Sequence, residues 1–447
     1  MKKILLALIP LLVFGLIACS KSSKNQKTVY LLNFKPEVAD VYNKIAKAYE
    51  AETGVRLRVA TAASGTYEQT FKAEAAKSNP PTIFQINGPR GWANAKDYTA
   101  DLKNTELYSH LSDKSLAISV NGNVYGIPYT IEGYGIIYND AIVQKYFALP
   151  NRATRFNSMD DVNSFAELKA LVEDMQRHKN DLGIKGVFAA TSLQPGEDWR
   201  WQTHLANVPM FYEFRDNNVD LSQPVDKVTF KYSQNFKQIF DLYLNNSTTD
   251  PKLLGSKQVS DSMAEFALGE AAMVQNGNWA WSQINGISGN VVKAEDIKFL
   301  PIYIGVNGEN KQGLCIGTEN YFSINSQVSP EDQQLAADFL LWLFSSPTGK
   351  KFVTNDLGFI TPFDTFSDDE KPTDPLAREV IAWMAKPNIY SVSWVFVVFP
   401  SQVFKNDFGA ALLSYAQGQK TWDQVKSVFV TEWAVEAAHA DQATAAK

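Results

Sequence analysis

The sequence predicts an α/β protein arranged in two lobes, and three observations support this fold class. Segments with strand and helix periodicity alternate along the chain, which is typical of sheets with helices on both faces. Without its first 18 residues the chain of 447 keeps 429, which is more than one ordinary hydrophobic core serves. Hydrophobic residues make up 45% of the chain, the share of a globular protein.

The N-terminus has the pattern of an export signal. Two lysines precede an apolar run over residues 4–17, which is too short to span a bilayer comfortably. Leu-Ile-Ala-Cys at 16–19 resembles the lipobox of bacterial lipoproteins, which implies cleavage before Cys19 and lipidation of its thiol. We expect a signal peptide at 1–18, a polar tether at 19–27 and a lipid-anchored protein on the extracytoplasmic face of the cell membrane. An ordinary cleaved signal is the alternative.

The folded part opens with a strand, a helix and a second strand. Residues 29–32 form a short apolar run, and apolar residues then recur at helical spacing from Val38 to Tyr49. Residues 55–59 alternate between apolar side chains and arginine, which is the period of a half-buried strand.

Another helix and another strand follow. Thr66 and Gln69 fit a capping box at the start of the helix, and residues 82–86 are the next strand. This alternation implies a mostly parallel sheet, in which ligands bind at the carboxyl ends of the strands. The loops at those ends cover residues 33–37, 62–66 and 87–92.

The alternation continues to the end of the chain. Strands are predicted at 125–129, 135–138, 271–275, 299–302 and 321–324. Ser329-Pro330 opens a helix with proline at its first position and acids in its first turn. Apolar residues at helical spacing between Trp422 and Trp433 predict a last helix.

Charge and cysteine content narrow the function classes. The net charge is −6 and no basic run occurs, so nucleic acid is not an expected partner. If Cys19 carries lipid, Cys315 has no disulfide partner, and its apolar surroundings predict a buried, inert thiol. The chain holds 10 Trp, a residue that can grip flat apolar faces, although most aromatic residues are expected in the core.

The sequence lacks the motifs of common hydrolases. It has neither a Gly-x-Ser-x-Gly elbow nor a His-Glu-x-x-His zinc motif. Its four histidines are scattered and no phosphate-binding loop occurs, so we expect no metal and no cofactor. We predict that the protein is not an enzyme. An exported glycosidase that uses two of the 48 acidic residues is the enzymatic alternative.

Several short segments carry a resemblance through their order and spacing. They are Tyr-Gly-Ile-Pro-Tyr at 125–129 with 136–140, Gly-Glu-Ala-Ala-Met at 269–273 with 276–281, and 337–340 with 346–349 and 357–362. Together they are similar to family 1 of the extracellular solute-binding proteins of ABC importers, the cluster of maltose and oligosaccharide binders. The resemblance covers nearly the whole chain after the tether.

This resemblance implies a two-lobe periplasmic-binding-protein fold of type II, with the ligand clamped in the cleft between the lobes. Crossings between the lobes are expected near residues 130, 302 and 355. Lobe one would hold 28–130 and 303–352, and lobe two would hold 131–301 and 353–447. The resemblance further implies a monomer that captures a carbohydrate and presents it to the permease subunits of an importer.

The resemblance also selects ligand-binding residues. Trp279 matches the stacking tryptophan of the family's Asn-Gly-x-Trp-Ala-Trp motif, and the alternative is a core tryptophan at a helix start. Glu132 matches a hydrogen-bonding glutamate at the first crossing, or it serves the structure of the hinge. Asn276 and Asn278 flank Trp279 and could bind hydroxyls, although turn formation explains them equally well.

The loops of the predicted first lobe supply further candidates. Lys35 and Glu37 lie where the family has an Asp-Lys pair, but here the acid follows the lysine. Asn87 lies where the family has a charged pair and would offer an uncharged amide. Ser64 could donate from the second loop or serve turn formation. Trp92 is either a second stacking platform or a helix-packing residue.

The second lobe offers one more platform. Trp199 lies in a loop-like stretch after Pro195-Gly196, whereas Trp394 lies where the alignment with the family slips and cannot be assigned. Sugars present flat C–H faces and rims of hydroxyls, which suit aromatic rings beside amides and carboxylates. We therefore predict a receptor for a carbohydrate, an oligosaccharide above all. A receptor for a non-sugar solute such as a polyamine or a peptide is the alternative.

Overall fold

The computed structural model describes residues 26–62, 66–221, 225–367 and 369–445. Its strands are β1 Thr28–Asn33, β2 Arg56–Thr61, β3 Ile83–Asn87, β4 Ile118–Val120, β5 Asn123–Pro128, β6 Glu132–Asn139, β7 Gly186–Phe188, β8 Ala271–Gly277, β9 Ile297–Leu300, β10 Gln312–Gly317, β11 Asn320–Ile324 and β12 Tyr390–Ser393. Its α-helices are α1 Ala39–Thr53, α2 Tyr67–Ala75, α3 Gly88–Ala95, α4 Glu106–Ser109, α5 Asp140–Phe147, α6 Phe165–Arg177, α7 Lys179–Leu182, α8 Ala206–Asp216, α9 Ser233–Asn245, α10 Val259–Ala267, α11 Ala280–Asn285, α12 Pro330–Ser345, α13 Pro347–Lys351, α14 Pro375–Met384, α15 Gln402–Ala416 and α16 Trp422–Ala445.

Some sequence predictions fall on parts of the chain that are not described. The predicted signal peptide, Cys19, most of the tether and Ser64 lie outside the described residues. Within the described ranges, no helix combines the length and the apolar character that a bilayer crossing requires.

The first sheet has the order β2-β1-β3-β11-β5-β4. β1 is parallel to β2 and β3, as the alternation of strands and helices predicts. β11, β5 and β4 run antiparallel to their neighbours, so the prediction of a mostly parallel sheet is wrong for this half. One cause is local: Asn121 and Gly122, both with positive φ, reverse the chain in two residues between β4 and β5.

The second sheet has the order β12-β10-β6-β8-β7, and β9 also pairs with β6. β6 runs antiparallel to β8, β9 and β10. Every residue of β6 is buried, so this strand forms the centre of the second core. We call the first sheet with the helices packed on it lobe one, and the second sheet with its helices lobe two.

The chain crosses from lobe one to lobe two between Pro128 and Glu132, close to the crossing predicted near residue 130. It returns between Gly317 and Asn320, later than the crossing predicted near residue 302. β10 is the reason, because it still pairs with β6 and β12 of the second sheet. Residues 303–317 therefore belong to lobe two, and the boundary predicted at 303 is wrong.

The last crossing also differs from its predicted place. Leu357, Phe359 and Phe363 pack in the core of lobe one, and α14 then packs against β6, β9 and β10 of lobe two. The crossing therefore lies between Phe363 and Pro375, and the boundary predicted at 353 is wrong. Apolar residues show that a segment is buried, but they do not show in which of two cores it lies.

Three local predictions can be compared with the structure. Ser329 begins α12, and its hydroxyl accepts a hydrogen bond from the backbone N–H of Asp332. Thr66 precedes α2 but makes no capping hydrogen bond through its side chain, so the predicted capping box is not formed. Cys315 is buried in β10, and burial raises the pKa of its thiol to about 12, which agrees with an inert thiol.

Candidate functional site

A cavity of about 1170 Å³ lies between the two lobes. Lobe one contributes the loops that follow β1 and β3, at the carboxyl ends of these parallel strands, where ligands of α/β sheets bind. Lobe two contributes residues 193–199 and 202–204, the start of α10, Trp279 and one face of α15. The first two crossings add Glu132, Glu319 and Asn320.

Aromatic rings form the lobe-two wall of the cavity. Trp279 is half-buried at the N-terminus of α11, with ring centroids of Trp199 at 6.2 Å and of His204 at 5.5 Å. Trp394 lies 6.4 Å from Trp279 and Tyr134 lies 6.5 Å from it. Tilted and edge-to-face pairs at these distances are favourable aromatic contacts, so the rings support one another.

Two tryptophans of this wall lie directly over glycines. A Cβ atom on Gly277 would lie 2.2 Å from the indole of Trp279, and a Cβ atom on Gly317 would lie 2.6 Å from Cγ of Trp394. No side chain fits at either glycine without displacing the ring. The ends of β8 and β10 therefore support both rings through their lack of side chains.

A buried ionic group faces the aromatic wall. Nζ of Lys35 lies 2.7 Å from Oε1 of Glu132, 3.6 Å from Oε1 of Glu37 and 5.9 Å from the centroid of a Trp279 ring. Burial alone lowers the pKa of Lys35, but the carboxylates of Glu132 and Glu37 outweigh it and raise the pKa above its ordinary value. Asn320 donates to Oε2 of Glu132 at 3.4 Å. Lys35 therefore stays charged and holds both carboxylates in place.

A second pair of charged groups lies beside the first. Burial raises the pKa of Glu319 to about 7 and lowers the pKa of Lys405. No ion pair within 4.0 Å joins either of them to another residue in the described chain. Asn87 contacts Glu319 when its side-chain amide is oriented with Nδ2 toward that residue. Nδ2 of Asn87 then donates to the backbone oxygen of Glu319 at 3.2 Å and to Oε2 of Glu319 at 3.3 Å. Lys405 and Glu319 thus face the cavity without a direct ion pair, and their opposite charges attract each other only at longer range.

The lobe-two side carries two more titratable groups. Burial raises the pKa of Asp198 to about 6 and lowers the pKa of His204 to about 3. His204 is therefore neutral at physiological pH and acts as a flat ring, stacked 4.3 Å from Tyr134. In the described part of the chain, no group of three or more His, Cys, Asp or Glu residues is placed to hold a metal ion.

The structure brings most of the predicted site residues together. Those that line the cavity are Lys35, Glu37, Asn87, Glu132, Trp199 and Trp279. They come from both lobes and from the first crossing. The assignment of these residues to a ligand stays a prediction, but their common cavity agrees with it.

Three predicted residues do not line the cavity. Asn278 accepts from the N–H of Gly133 at 2.9 Å, so its side chain fixes the crossing strand. Asn276 accepts from the N–H of Gly277 at 2.9 Å and is 1% exposed. Trp92 stacks on Tyr125 and donates to Thr99 at 3.3 Å, which is the helix-packing alternative.

Several residues of the cavity were not predicted from the sequence. They are His204, Glu319, Asn320, Asp198, Lys405 and, at the place where the family alignment slips, Trp394. His204 looked like one of four scattered histidines because its aromatic neighbours come from distant segments. A signal did exist for Glu319, since the polar residues Thr318 and Glu319 separate two strands at the crossing.

The cavity between two α/β lobes is the arrangement of a receptor that encloses its ligand. Residues 44–379 match the family described as bacterial extracellular solute-binding protein. The chain belongs to this family. The match shows a solute-binding protein and not an enzyme, in agreement with the sequence prediction.

Solved structures share the fold of this solute-binding protein at low sequence identity. A chitin oligosaccharide binding protein has 16% identity and a TM-score of 0.69, over 92% of this chain and 99% of that chain. RafE in complex with raffinose has 18% identity and a TM-score of 0.66, over 90% and 99% of the two chains. A sugar transporter from Bacillus licheniformis in complex with stachyose has 16% identity and a TM-score of 0.65, over 92% and 100%.

Proposed function

We propose that this solute-binding protein captures a carbohydrate, of oligosaccharide size, and delivers it to an ABC importer. One observation carries the proposal: a wall formed by Trp279, Trp199 and Trp394 faces an ionic group of Lys35 and Glu132 across one cavity. Such a cavity offers stacking surfaces to the flat C–H faces of a sugar. It also offers charged hydrogen-bond partners, each contributing about 1.5–3 kcal/mol, to the hydroxyl rim.

The size and lining of the cavity support an oligosaccharide. Its volume of about 1170 Å³ exceeds the roughly 300–1,000 Å³ of common small-molecule sites. In the described chain, ten uncharged amide side chains line the cavity, and they suit a ligand that carries many hydroxyls. They are Asn87, Gln194, Gln202, Gln258, Gln283, Asn320, Gln402, Asn406, Gln417 and Gln419.

The ionic group at Lys35 weighs against a polyamine in this part of the cavity, whose lining elsewhere includes Glu197, Asp198 and Asp407. Glu132 and Glu37 already neutralise Lys35, and the pKa of Glu319 near 7 keeps much of that carboxyl protonated at neutral pH. A polyamine needs several ionised carboxylates that are free to face its ammonium groups. A neutral polyol needs only acceptors and donors, which this cavity has.

Two lobes that both touch one ligand provide the mechanism. Lobe one supplies Lys35 and Asn87, and lobe two supplies Trp279 and Trp199. A ligand that contacts both lobes binds the closed arrangement more tightly than the open one and shifts the population toward closure. Closure would bring the outer surfaces of the two lobes into one fixed arrangement. The permease would then meet this arrangement only when sugar is bound.

The location of the protein follows from the family and from its N-terminal pattern. We propose that it works as a monomer, anchored to the extracytoplasmic face of the membrane through lipid on Cys19. The lipobox-like residues 16–19 and the polar segment after them support this anchoring. Relatives of the same fold are described with raffinose, stachyose and chitin oligosaccharide, which supports a sugar as cargo.

A thermal-shift screen of the chain from residue 25 onward tests the proposed function. The ligands are mono- and oligosaccharides, polyamines and short peptides. A true ligand at about 100 times its Kd stabilises the fold by about 2.7 kcal/mol. We expect a shift with one class of oligosaccharide and no breakdown of that sugar. A shift with a polyamine or peptide alone would contradict the proposal.

A further inference from the structure

A fully buried arginine lies beneath the aromatic wall. Arg200 is the first residue of the π-helix Arg200–Leu205, and it is 0% exposed. No carboxylate of the described chain lies within ion-pair distance of it, and burial lowers the pKa of its guanidinium to about 10. A buried charge without a counter-ion is costly, so its presence calls for a reason other than stability.

The guanidinium joins three separate segments of lobe two. Nη1 donates to the backbone oxygen of Gln275 in β8 at 3.0 Å. Nη2 donates to the hydroxyl of Ser192 at 2.6 Å and to the hydroxyl of Ser262 in α10 at 2.9 Å. The side-chain amide of Gln275 returns a bond to the backbone oxygen of Arg200 at 2.7 Å.

Each of these segments continues into the cavity wall. Residues 193–199 follow Ser192 and end in Trp199, and the chain runs from Gln275 past the end of β8 at Gly277 to Trp279. α10 places Met263, the neighbour of Ser262, in the wall. π-Helical turns are rare and are frequent at functional sites, and this one adds residues 202–204 to the same wall.

We propose that Arg200 is a positioning residue that sets the relative placement of Trp199 and Trp279 for the ligand. Arg200 itself is enclosed by protein and does not line the cavity. It affects the ligand indirectly, because it holds the π-helix, β8 and α10 together and these segments carry the aromatic wall. The inference rests on the proposed function, because its measure is the affinity for a sugar.

Replacing Arg200 with methionine separates positioning from stability. Apolar side chains of similar size often replace buried charged groups without loss of stability. We expect Arg200→Met to weaken binding of the sugar found in the screen at least about tenfold, or ~1.4 kcal/mol, by calorimetry. The midpoint of thermal unfolding should stay unchanged or rise. Arg200→Lys keeps the charge and part of the hydrogen bonding, so its affinity should lie between those of wild type and Arg200→Met.

A control variant shows whether lost stability alone lowers affinity. Phe429 is buried in lobe two, packs on Phe230 and Phe404, and does not line the cavity. Phe429→Leu should lower the unfolding midpoint and leave sugar affinity unchanged. If it weakens binding as much as Arg200→Met does, the special role of Arg200 is refuted.

A spectroscopic readout needs no ligand and so tests Arg200 apart from the proposed function. With 5-fluorotryptophan in the protein and resonances assigned by Trp→Phe variants, Arg200→Met should move the ¹⁹F resonance of Trp279. The resonance of Trp383, which lies in α14 and does not line the cavity, should not move. Should Arg200→Met fail to fold, Ser262→Ala removes one acceptor and should move the same resonance less. The proposal is overturned if the folded variants keep both the wild-type ¹⁹F resonance of Trp279 and the wild-type affinity for sugar. Absence of sugar binding by wild type refutes the proposed function instead.

Discussion

Some charged side chains in the cavity form ion pairs within the protein, and others do not. Lys35 holds Glu132 and Glu37, whereas Glu319 and Lys405 have no ion pair within 4.0 Å in the described chain. Burial is therefore the strongest influence on Glu319 and raises its pKa to about 7, because the more distant charges of Lys405 and Lys35 offset only part of it. The ligand-free protein should respond to pH mainly through such buried groups that lack a direct ion pair.

The titration of Glu319 predicts a stability change with a defined sign. Its carboxyl keeps a proton up to about pH 7 in the folded protein, whereas a free glutamate loses it near pH 4.5. Between these values the folded state binds more protons, so the free energy of unfolding falls as pH rises. Glu319→Gln mimics the protonated form and should stabilise the protein by about 1–2 kcal/mol at pH 8. At pH 4.5 it should have no effect.

Urea unfolding at pH 4.5, 6 and 8 measures this effect. Glu295→Gln changes an exposed carboxyl and serves as the matched control, with no expected change in the pH profile. Equal pH profiles for wild type and Glu319→Gln would show that Glu319 is not the titrating group.

Trp279 is the residue whose loss should affect binding most. It is in contact with Trp199, His204 and Trp394, and it faces Lys35. We expect Trp279→Ala to weaken sugar binding by roughly 2 kcal/mol or more, the effect of a central aromatic contact. Calorimetry with the sugar found in the screen measures it.

A second tryptophan variant provides the comparison. From the sequence, Trp92 was either a second stacking platform or a helix-packing residue, and it stacks on Tyr125 outside the cavity. Trp92→Phe should therefore leave affinity unchanged. If Trp92→Phe weakens binding and Trp279→Ala does not, the placement of the site is wrong.

At the scale of elements, the junction of β8 and α11 creates the stacking platform. β8 ends at Gly277 and α11 begins after Trp279, so the indole folds back over the end of the strand. Asn278 between them is tied to Gly133 of β6 at 2.9 Å. The segment 277–279 thus connects the stacking platform to β6, the strand that follows the first crossing between the lobes.

From the geometry of this junction we predict that adding one methyl group at Gly277 weakens sugar binding. A Cβ atom on Gly277 would lie 2.2 Å from the Trp279 ring, so the ring must move in Gly277→Ala. We expect sugar affinity to fall about tenfold, or ~1.4 kcal/mol, with a smaller change in the free energy of unfolding. Gly91→Ala in α3 is the control, since its nearest neighbour would lie 3.4 Å away. Unchanged affinity in Gly277→Ala would mean that the ring position does not matter.

At the scale of the whole molecule, the cavity lies between two sheets that share crossing segments. β6 begins at the cavity with Glu132 and then runs through the centre of lobe two. Glu319 and Asn320 enter the cavity on the return to lobe one. Ligand contacts at these crossings can therefore change the angle between the lobes.

Lobe closure predicts a more compact molecule with sugar. Small-angle X-ray scattering of the lipid-free protein should show a smaller radius of gyration at saturating sugar than without it. Trp279→Ala at the same sugar concentration should keep more of the unliganded value, because less of it is bound. A radius that does not change at saturation would contradict closure by the ligand.

Much of the fold could be predicted because its signals are local. The strands at 29–32 and 321–324 and the helix after Ser329 follow from periodicity and turn residues, which act over a few positions. The loops 33–37 and 87–92 were predicted to face the ligand from the βαβ pattern alone, and both reach the cavity. Lys35 and Asn87 could be selected for the same reason.

The sequence by itself determined the strands and helices with clear periodicity, the residue types of the binding loops and the family of this protein. Only the tertiary structure decided that β10 belongs to the second sheet, that Asn278 fixes a crossing strand and that Arg200 joins three segments. These features depend on partners far away in the chain, such as Cys315 opposite Tyr134. Periodicity records whether a side chain is buried, whereas its partner is chosen by packing and hydrogen bonding among distant segments.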